Sequence, residues 1–167
     1  MSRFLVTLRA IIYMTGFLGL WAWAAWKLRA LDKFIPVRFP AWSIAPGLVL
    51  ILAGAALGLA TAGLFVFEGR GTPAPFDPPR KFVPRGPYRL VRNPMYVGGI
   101  CLLLGFGFCL ASPAIIMLGL AAFLLVHIFV VVGEEPGLRK RFGREYEDYC
   151  RTIPRWFPRL GWKQRGN

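Results

Sequence analysis

Side chains able to do chemistry gather at two places in this chain. One is the run Arg92-Asn93-Pro94-Met95-Tyr96. The other is Glu134-Glu135, followed by Phe142-Gly143, Tyr146 and Tyr149. Two adjacent carboxylates facing a segment of arginines can accept hydrogen bonds from hydroxyls or hold a cation, and either acid can take up a proton. A simpler reading is open as well, in which the acids solvate the end of a helix. A negative charge at a helix C-terminus is unfavourable by ~0.3–1 kcal/mol. Either the helix therefore runs on past Glu135 despite Pro136, or the acids have partners, which the arginines can supply. His127, the only histidine, lies two helical turns before Glu134 in an apolar run. An ionisable group there is a functional candidate, and a structural hydrogen bond within a bundle accounts for it equally well. The catalytic candidates are thus Glu134, Glu135, His127 and Arg92. No metal site is expected. Cys101 and Cys109 lie in an apolar run, Cys150 lies in the basic tail, and no run of His and Cys has metal spacing.

The elements that position these groups follow from composition. Apolar residues make up 56% of the 167 residues and charged ones 17%, and a soluble domain of this size cannot hide that much apolar surface. The bilayer is the natural solvent for it. The net charge of +13 raises nucleic acid as a partner. The cations, however, sit in loops and tails between long apolar runs, as in membrane proteins, and no nucleic-acid partner is expected. Four apolar segments stand out: Ala10 to Leu28, Ile44 to Phe67, Met95 to Ala111, and Pro113 to Val132. Each approaches the roughly 20 residues that a helix needs to cross a bilayer, and helices satisfy their own backbone in lipid. Trp21, Trp23 and Trp26 occupy the region where a leader's small-residue cleavage site would be, so no cleavable signal is expected. The expectation is an all-α integral membrane protein of about four transmembrane helices. Residues 1–67 form an N-terminal two-helix part of this single domain, and residues 68–167 form a loop, a C-terminal helical hairpin and a tail around a cytoplasmic pocket.

The distribution of Lys and Arg predicts the orientation. Arg70, Arg80, Lys81, Arg85, Arg89 and Arg92 precede the third segment, the C-terminal tail is richer still, and the turn at Ser112 has no charge. The multi-pass chain then keeps the loop, the active site and the C-terminus in the cytoplasm and the Ser112 turn outside. Lys27, Arg29, Lys33 and Arg38 run against this pattern, either snorkelling or belonging to an interfacial segment. Gly54, Gly58 and Ala62 recur every four residues, spacing that lets helix backbones approach within the protein or across a homodimer. From Glu68 to Pro94 prolines and glycines block helix, and Phe76, Phe82 and Tyr88 argue for packing rather than disorder. Tyr96 lies sixteen residues before Ser112 and Glu134 twenty-two after it. At ~1.5 Å per residue a hairpin carries both to one side of the membrane.

The run Arg85-Gly-Pro-Tyr-Arg-Leu-Val-Arg-Asn-Pro-Met-Tyr-Val-Gly98 resembles the signature G-x-Y-x-x-x-R-H-P-x-Y of the isoprenylcysteine carboxyl methyltransferase family. The run Glu134-Glu-Pro-Gly-Leu-Arg-Lys-Arg-Phe-Gly-Arg-Glu-Tyr-Glu-Asp-Tyr149 is similar to its second signature, E-E-x-x-L-x-x-x-F-G-x-x-Y-x-x-Y. Membrane phospholipid methyltransferases look alike in this region, and the likeness covers about Arg80 to Pro158. It implies S-adenosyl-L-methionine as cofactor and a lipophilic or membrane-partitioning methyl acceptor. By position it implies cofactor contacts at Arg80, Lys81, Phe82, Val83, Tyr88, Asn93, Pro94, Met95, Tyr96 and Glu134. Two departures bear on the substrate. Asn93 stands where the family has His, and keeps donor and acceptor capacity without titrating near neutrality. Val130 stands where the family tends to have an arginine for the polar end of the substrate. Two alternatives come from other classes: a membrane sterol-type reductase using NADPH, and a basic membrane scaffold binding anionic lipid.

Overall fold

The computed structural model describes residues 3–64 and 85–158. Arg80, Lys81, Phe82 and Val83, with most of the proline-rich stretch, lie outside the described residues. The regular secondary structure of the described residues is all helical. Helix α1 (Arg3–Leu28) leads through 3-10 turns at Arg29–Phe34 and Ala41–Ser43 into α2 (Ile44–Leu64). A 3-10 turn at Gly86–Arg89 precedes α3 (Pro94–Cys109), which is followed by α4 (Pro113–Phe129) and a π turn at Val130–Glu134. Helices α5 (Glu135–Phe142) and α6 (Arg144–Thr152) complete it. Two helical stretches are long and apolar enough to cross a bilayer: Ala41–Leu64, with mean hydropathy 2.1, and Pro113–Phe142, with mean hydropathy 2.9.

Side-chain sizes are sorted as lipid requires. Large aliphatic residues point outward, among them Leu48, Val49, Leu52 and Leu59 of α2 and Met117, Leu120, Leu124 and Leu125 of α4. The buried positions on the same helices are mostly small: Gly47, Gly54, Thr61 and Ala62 on α2, and Ala114, Gly119 and Ala122 on α4. Lipid tails are as apolar as leucine, so burying leucine gains little there. Close packing between small residues is what holds such helices together.

The tightest seam is between α2 and α3, which run antiparallel. A Cβ placed on Gly54 would come within 2.6 Å of the Gly98 carbonyl oxygen, and one on Gly105 within 2.7 Å of the Gly47 carbonyl oxygen. Gly54 and Ala62 are buried, and the backbone of Gly58 lies 3.3 Å from a Cβ built on Gly98. Gly54 therefore meets α3 within the chain, one of the two readings of the small-residue stripe, while the Cβ direction of Gly58 has nothing within 4 Å. Helix α3 packs on α4 in the same antiparallel sense, with Gly107 against Ile116 and Gly119 against Leu103 and Leu104.

The connection between α3 and α4 is closed by polar groups. Ala111 adopts a positive φ of 47°, and the Ser112 amide donates to the Gly107 carbonyl at 2.8 Å. Two side chains cap α4: Ser112 Oγ accepts from the Ile115 amide at 3.3 Å, and Asp32 Oδ1 accepts from the Ala114 amide at 2.9 Å. At the same end Ser43 Oγ donates to the Phe108 carbonyl at 3.2 Å. The linker between α1 and α2 thus lies beside the turn between α3 and α4. This packing generates a prediction. Gly54→Val should destabilise the protein by roughly 1–3 kcal/mol through overpacking, seen as a lower melting temperature in detergent. Gly16→Ala, where nothing lies within 4 Å of the added Cβ, should leave it unchanged.

Candidate functional site

Pro136 shapes the site before any charge does. Its ring nitrogen has no hydrogen to donate, and its ring crowds the carbonyl four residues back. The helix answers by widening for one turn: the Glu135 amide donates to the Val130 carbonyl, five residues back. Pro136 then falls in the first turn of α5, where a missing donor costs nothing, and the helix continues from Pro113 to Phe142. Both outcomes anticipated for the acids hold, since the helix runs on past Glu135 and the acids also have partners.

The two neighbours face different surroundings. Half-buried Glu134 takes a hydrogen bond from the Tyr96 hydroxyl to its Oε2 at 3.0 Å, across 38 residues of sequence. Burial first, and then the nearby Glu134 carboxylate with Tyr149 and Tyr96, push the Tyr88 phenol well above its ordinary range. Tyr88 therefore stays neutral. Tyr149 is also pushed up by burial and by Tyr146, against the opposing charge of Arg92, and its hydroxyl donates to the Tyr88 carbonyl at 2.6 Å. One carboxylate thus stands beside two neutral phenols, Tyr96 from the start of α3 and Tyr88 from the turn before it.

Glu135 is only 2% exposed. Arg155 grips it with a fork, Nε to Oε1 at 2.6 Å and Nη2 to Oε2 at 3.0 Å. Arg92 Nη1 lies 3.1 Å from Oε1, and Arg139 Nη2 lies 3.4 Å from Oε2. The hydrogen bond to Glu135 holds Arg155 above the ordinary guanidinium range even though burial pulls the other way. Three guanidiniums on one buried carboxylate favour its ionised form, which makes it a poor proton acceptor. Glu135, one of the catalytic candidates, is thus held in a cluster of ion pairs with Arg92, Arg139 and Arg155. Arg92, another of the candidates, belongs to the same cluster, and its Nη1 also donates to Cys150 Sγ at 2.7 Å.

The segment 154–156 is tied to everything around it. The Arg92 amide donates to the Pro154 carbonyl at 2.9 Å, and Asn93 Nδ2 donates to the Arg155 carbonyl at 3.3 Å. Trp156 Nε1 donates to His127 Nδ1 at 3.0 Å, with Phe123 edge-on to the Trp156 ring at 5.3 Å between centroids. His127 is accordingly given the structural hydrogen bond that was one of its two readings. Asn93 is buried, and its amide nitrogen serves the tail; Pro94 and half-buried Met95 open α3 beside it. Sequence reasoning missed Arg155, Trp156, Cys150 and the Asp32 cap. None stands in a local pattern, and a basic tail reads as solvated charge until the fold brings it to a buried acid. Among the described residues no group of three or more His, Cys, Asp or Glu could hold a metal ion.

Removing the fork should be costly. Arg155→Ala is expected to destabilise the protein by about 3 kcal/mol, since it leaves a buried carboxylate short of compensation. Arg155→Lys should recover only part of that, because a lysine cannot give two parallel N–H donors. Thermal unfolding in detergent measures both.

Residues 42–145 match the family described as phospholipid methyltransferase. The chain is also similar to a nickel-cobalt-cadmium resistance protein of Alcaligenes xylosoxydans xylosoxydans, 34% identical over 80 residues, which is 48% of this chain and 37% of that protein. It is similar to a cobalt-zinc-cadmium resistance protein of Cupriavidus metallidurans, 37% identical over 78 residues, which is 47% of this chain and 36% of that protein. The likeness spans little more than a third of the length of each relative. The family match takes in Tyr88, Asn93, Tyr96, Glu134 and Glu135 and ends before Arg155 and Trp156.

Proposed function

This chain belongs to the phospholipid methyltransferase family, and on that premise we propose that it transfers a methyl group from S-adenosyl-L-methionine to a lipophilic acceptor at the cytoplasmic ends of its helices. The observation that supports the reading is the Tyr96–Glu134 pair at 3.0 Å, which brings the two motifs together with Tyr88 nearby. The donor set fits the cofactor. A carboxylate suits ribose hydroxyls or an ammonium group, and neutral tyrosines offer aromatic faces to a cation. Asn93, Pro94 and Met95 lie at the same helix start, and residues 80–83 are proposed to complete the contacts.

S-adenosyl-L-methionine supplies an electrophilic methyl on a sulfonium. The protein's part is to bind, align and keep water away, because an in-line displacement gains most from alignment and desolvation. No covalent nucleophile of the chain is needed. If the acceptor is an amine, Glu134 is the acid placed to take its proton, since Glu135 is committed to arginines. The reacting end of the acceptor is neutral or soft. Val130 is 1% exposed within the π turn, so this stretch of the helix brings no cation to compensate a carboxylate. Little turnover of a prenylcysteine carboxylate is expected.

The proposed topology has four crossings, α1 to α4, with the turn at 110–112 outside and Arg89 and Lys140 in the cytoplasm. Ser112 is 0% exposed, so the probe belongs at Leu110, which is 42% exposed. With the native cysteines replaced, Leu110→Cys should react with an impermeant maleimide added outside intact cells. Labelling only after permeabilisation reverses the orientation.

The cofactor is tested by ligand stabilisation. S-adenosylhomocysteine should raise the melting temperature and NADPH should not; the opposite result selects a reductase, and no shift with either selects a scaffold. Glu134→Gln and Tyr96→Phe should each weaken S-adenosylhomocysteine binding about tenfold, the usual scale for a hydrogen bond to a charged group. Labelled S-adenosyl-L-methionine with a lipid extract then identifies the acceptor by its labelled product.

A further inference from the structure

The end of the molecule opposite the site carries a feature that methyl transfer does not use. The last turn of α1 and the linker after it hold four exposed cations, Lys27, Arg29, Lys33 and Arg38. Across residues 1–67 the only acid is Asp32, and its Oδ1 is engaged with the Ala114 amide at the N-terminus of α4. The surface therefore has a net excess of positive charge with its one carboxylate turned into the helix end. That end is also where the two long apolar stretches begin, at Ala41 and at Pro113, which puts the cations at the level where hydrocarbon gives way to headgroups.

Large aromatic side chains stand among these cations. Trp26, Phe34 and Trp42 are 68%, 72% and 73% exposed. Lys27 Nζ lies 4.9 Å from the Trp26 ring centroid and Lys33 Nζ 4.7 Å from that of Phe34. Exposed tryptophan is characteristic of a membrane interface, where an apolar ring meets a wet one-sided surface. Cations on the outer side run against the usual distribution of Lys and Arg, so their retention at this level needs an anionic partner. The linker cannot swing away to water, because Asp32 fixes it to α4 and Ser43 fixes it to the Phe108 carbonyl.

We infer that the Lys27–Trp42 segment is a docking surface for anionic phospholipid headgroups of the leaflet opposite the site. The inference rests on the membrane-spanning reading of the helices and is independent of the methyl-transfer reading. The aromatic rings set the depth of the linker, and the four cations hold phosphates that a zwitterionic headgroup would offset with its own ammonium.

The test reads the linker locally, so the basic C-terminal tail does not contribute. The protein, with native cysteines replaced and Val37→Cys carrying a fluorescent label, is reconstituted in phosphatidylcholine vesicles. These contain either a quencher-bearing phosphatidylglycerol or a quencher-bearing phosphatidylcholine. Val37 is 49% exposed within the linker. The anionic quencher should be about fivefold more effective than the zwitterionic one, the scale of one surface cation's attraction. The preference should disappear in Lys27→Gln/Arg29→Gln/Lys33→Gln/Arg38→Gln and, without any substitution, at high salt. Equal quenching by the two lipids in the unsubstituted linker, or a preference that survives both the substitutions and salt, overturns the inference. Methyl-transfer activity plays no part in the readout, so its absence would count against the proposed function alone.

Discussion

The fold of the C-terminal half depends on one buried carboxylate. Glu135 is 2% exposed, and an ionised group at that depth would cost several kcal/mol if left alone. It is tolerated because three guanidiniums reach it from three parts of the chain: Arg92 before α3, Arg139 one turn further along α5, and Arg155 beyond α6. Each part is thereby held to the same point. The backbone bonds from Arg92 to Pro154 and from Asn93 to Arg155 add direction to that attachment. The site is in this sense a consequence of the anchor. With Glu135 fixed, its neighbour Glu134 is fixed too, and Tyr96 can meet it.

Two adjacent acids on one helix point in different directions and meet different surroundings, and Pro136 perturbs the helix beside them. The π turn at Val130–Glu134 alters the angular offset that an ordinary helix would give. One acid turns to the arginines and the other to the tyrosines of the turn and α3. Such single-turn widenings recur at functional sites because they re-aim side chains without ending the helix. The local backbone defect and the charge arrangement are one device.

The apolar part of the molecule serves a different purpose, which is to bring α3 close enough to its neighbours for Tyr96 to reach Glu134. The glycine contacts at Gly47, Gly54, Gly98 and Gly105 let α2 and α3 approach at backbone distance. The start of α3, with Tyr96 on its first turn, is then set against α2 on one side and α4 on the other. In lipid this closeness cannot come from burying large aliphatic side chains, and the small residues supply it through packing.

The sequence alone determined the membrane character, the four apolar helical segments, the two chemical motifs and the placing of Tyr96 and Glu134 toward the same end of the α3–α4 pair. These rest on composition, on helical length and on counting residues either side of a turn, and all are local properties of the chain. Tertiary structure alone decided that the Tyr96 and Glu134 side chains meet, which of the two adjacent acids is open and which is locked, that Gly54 packs on α3, and that His127 serves Trp156. It also decided that Arg155, 20 residues from Glu135, is its principal partner. An ion pair of that kind has no spacing rule: a carboxylate in a low dielectric takes whichever guanidinium the packing delivers, and packing is settled only when the whole chain has folded.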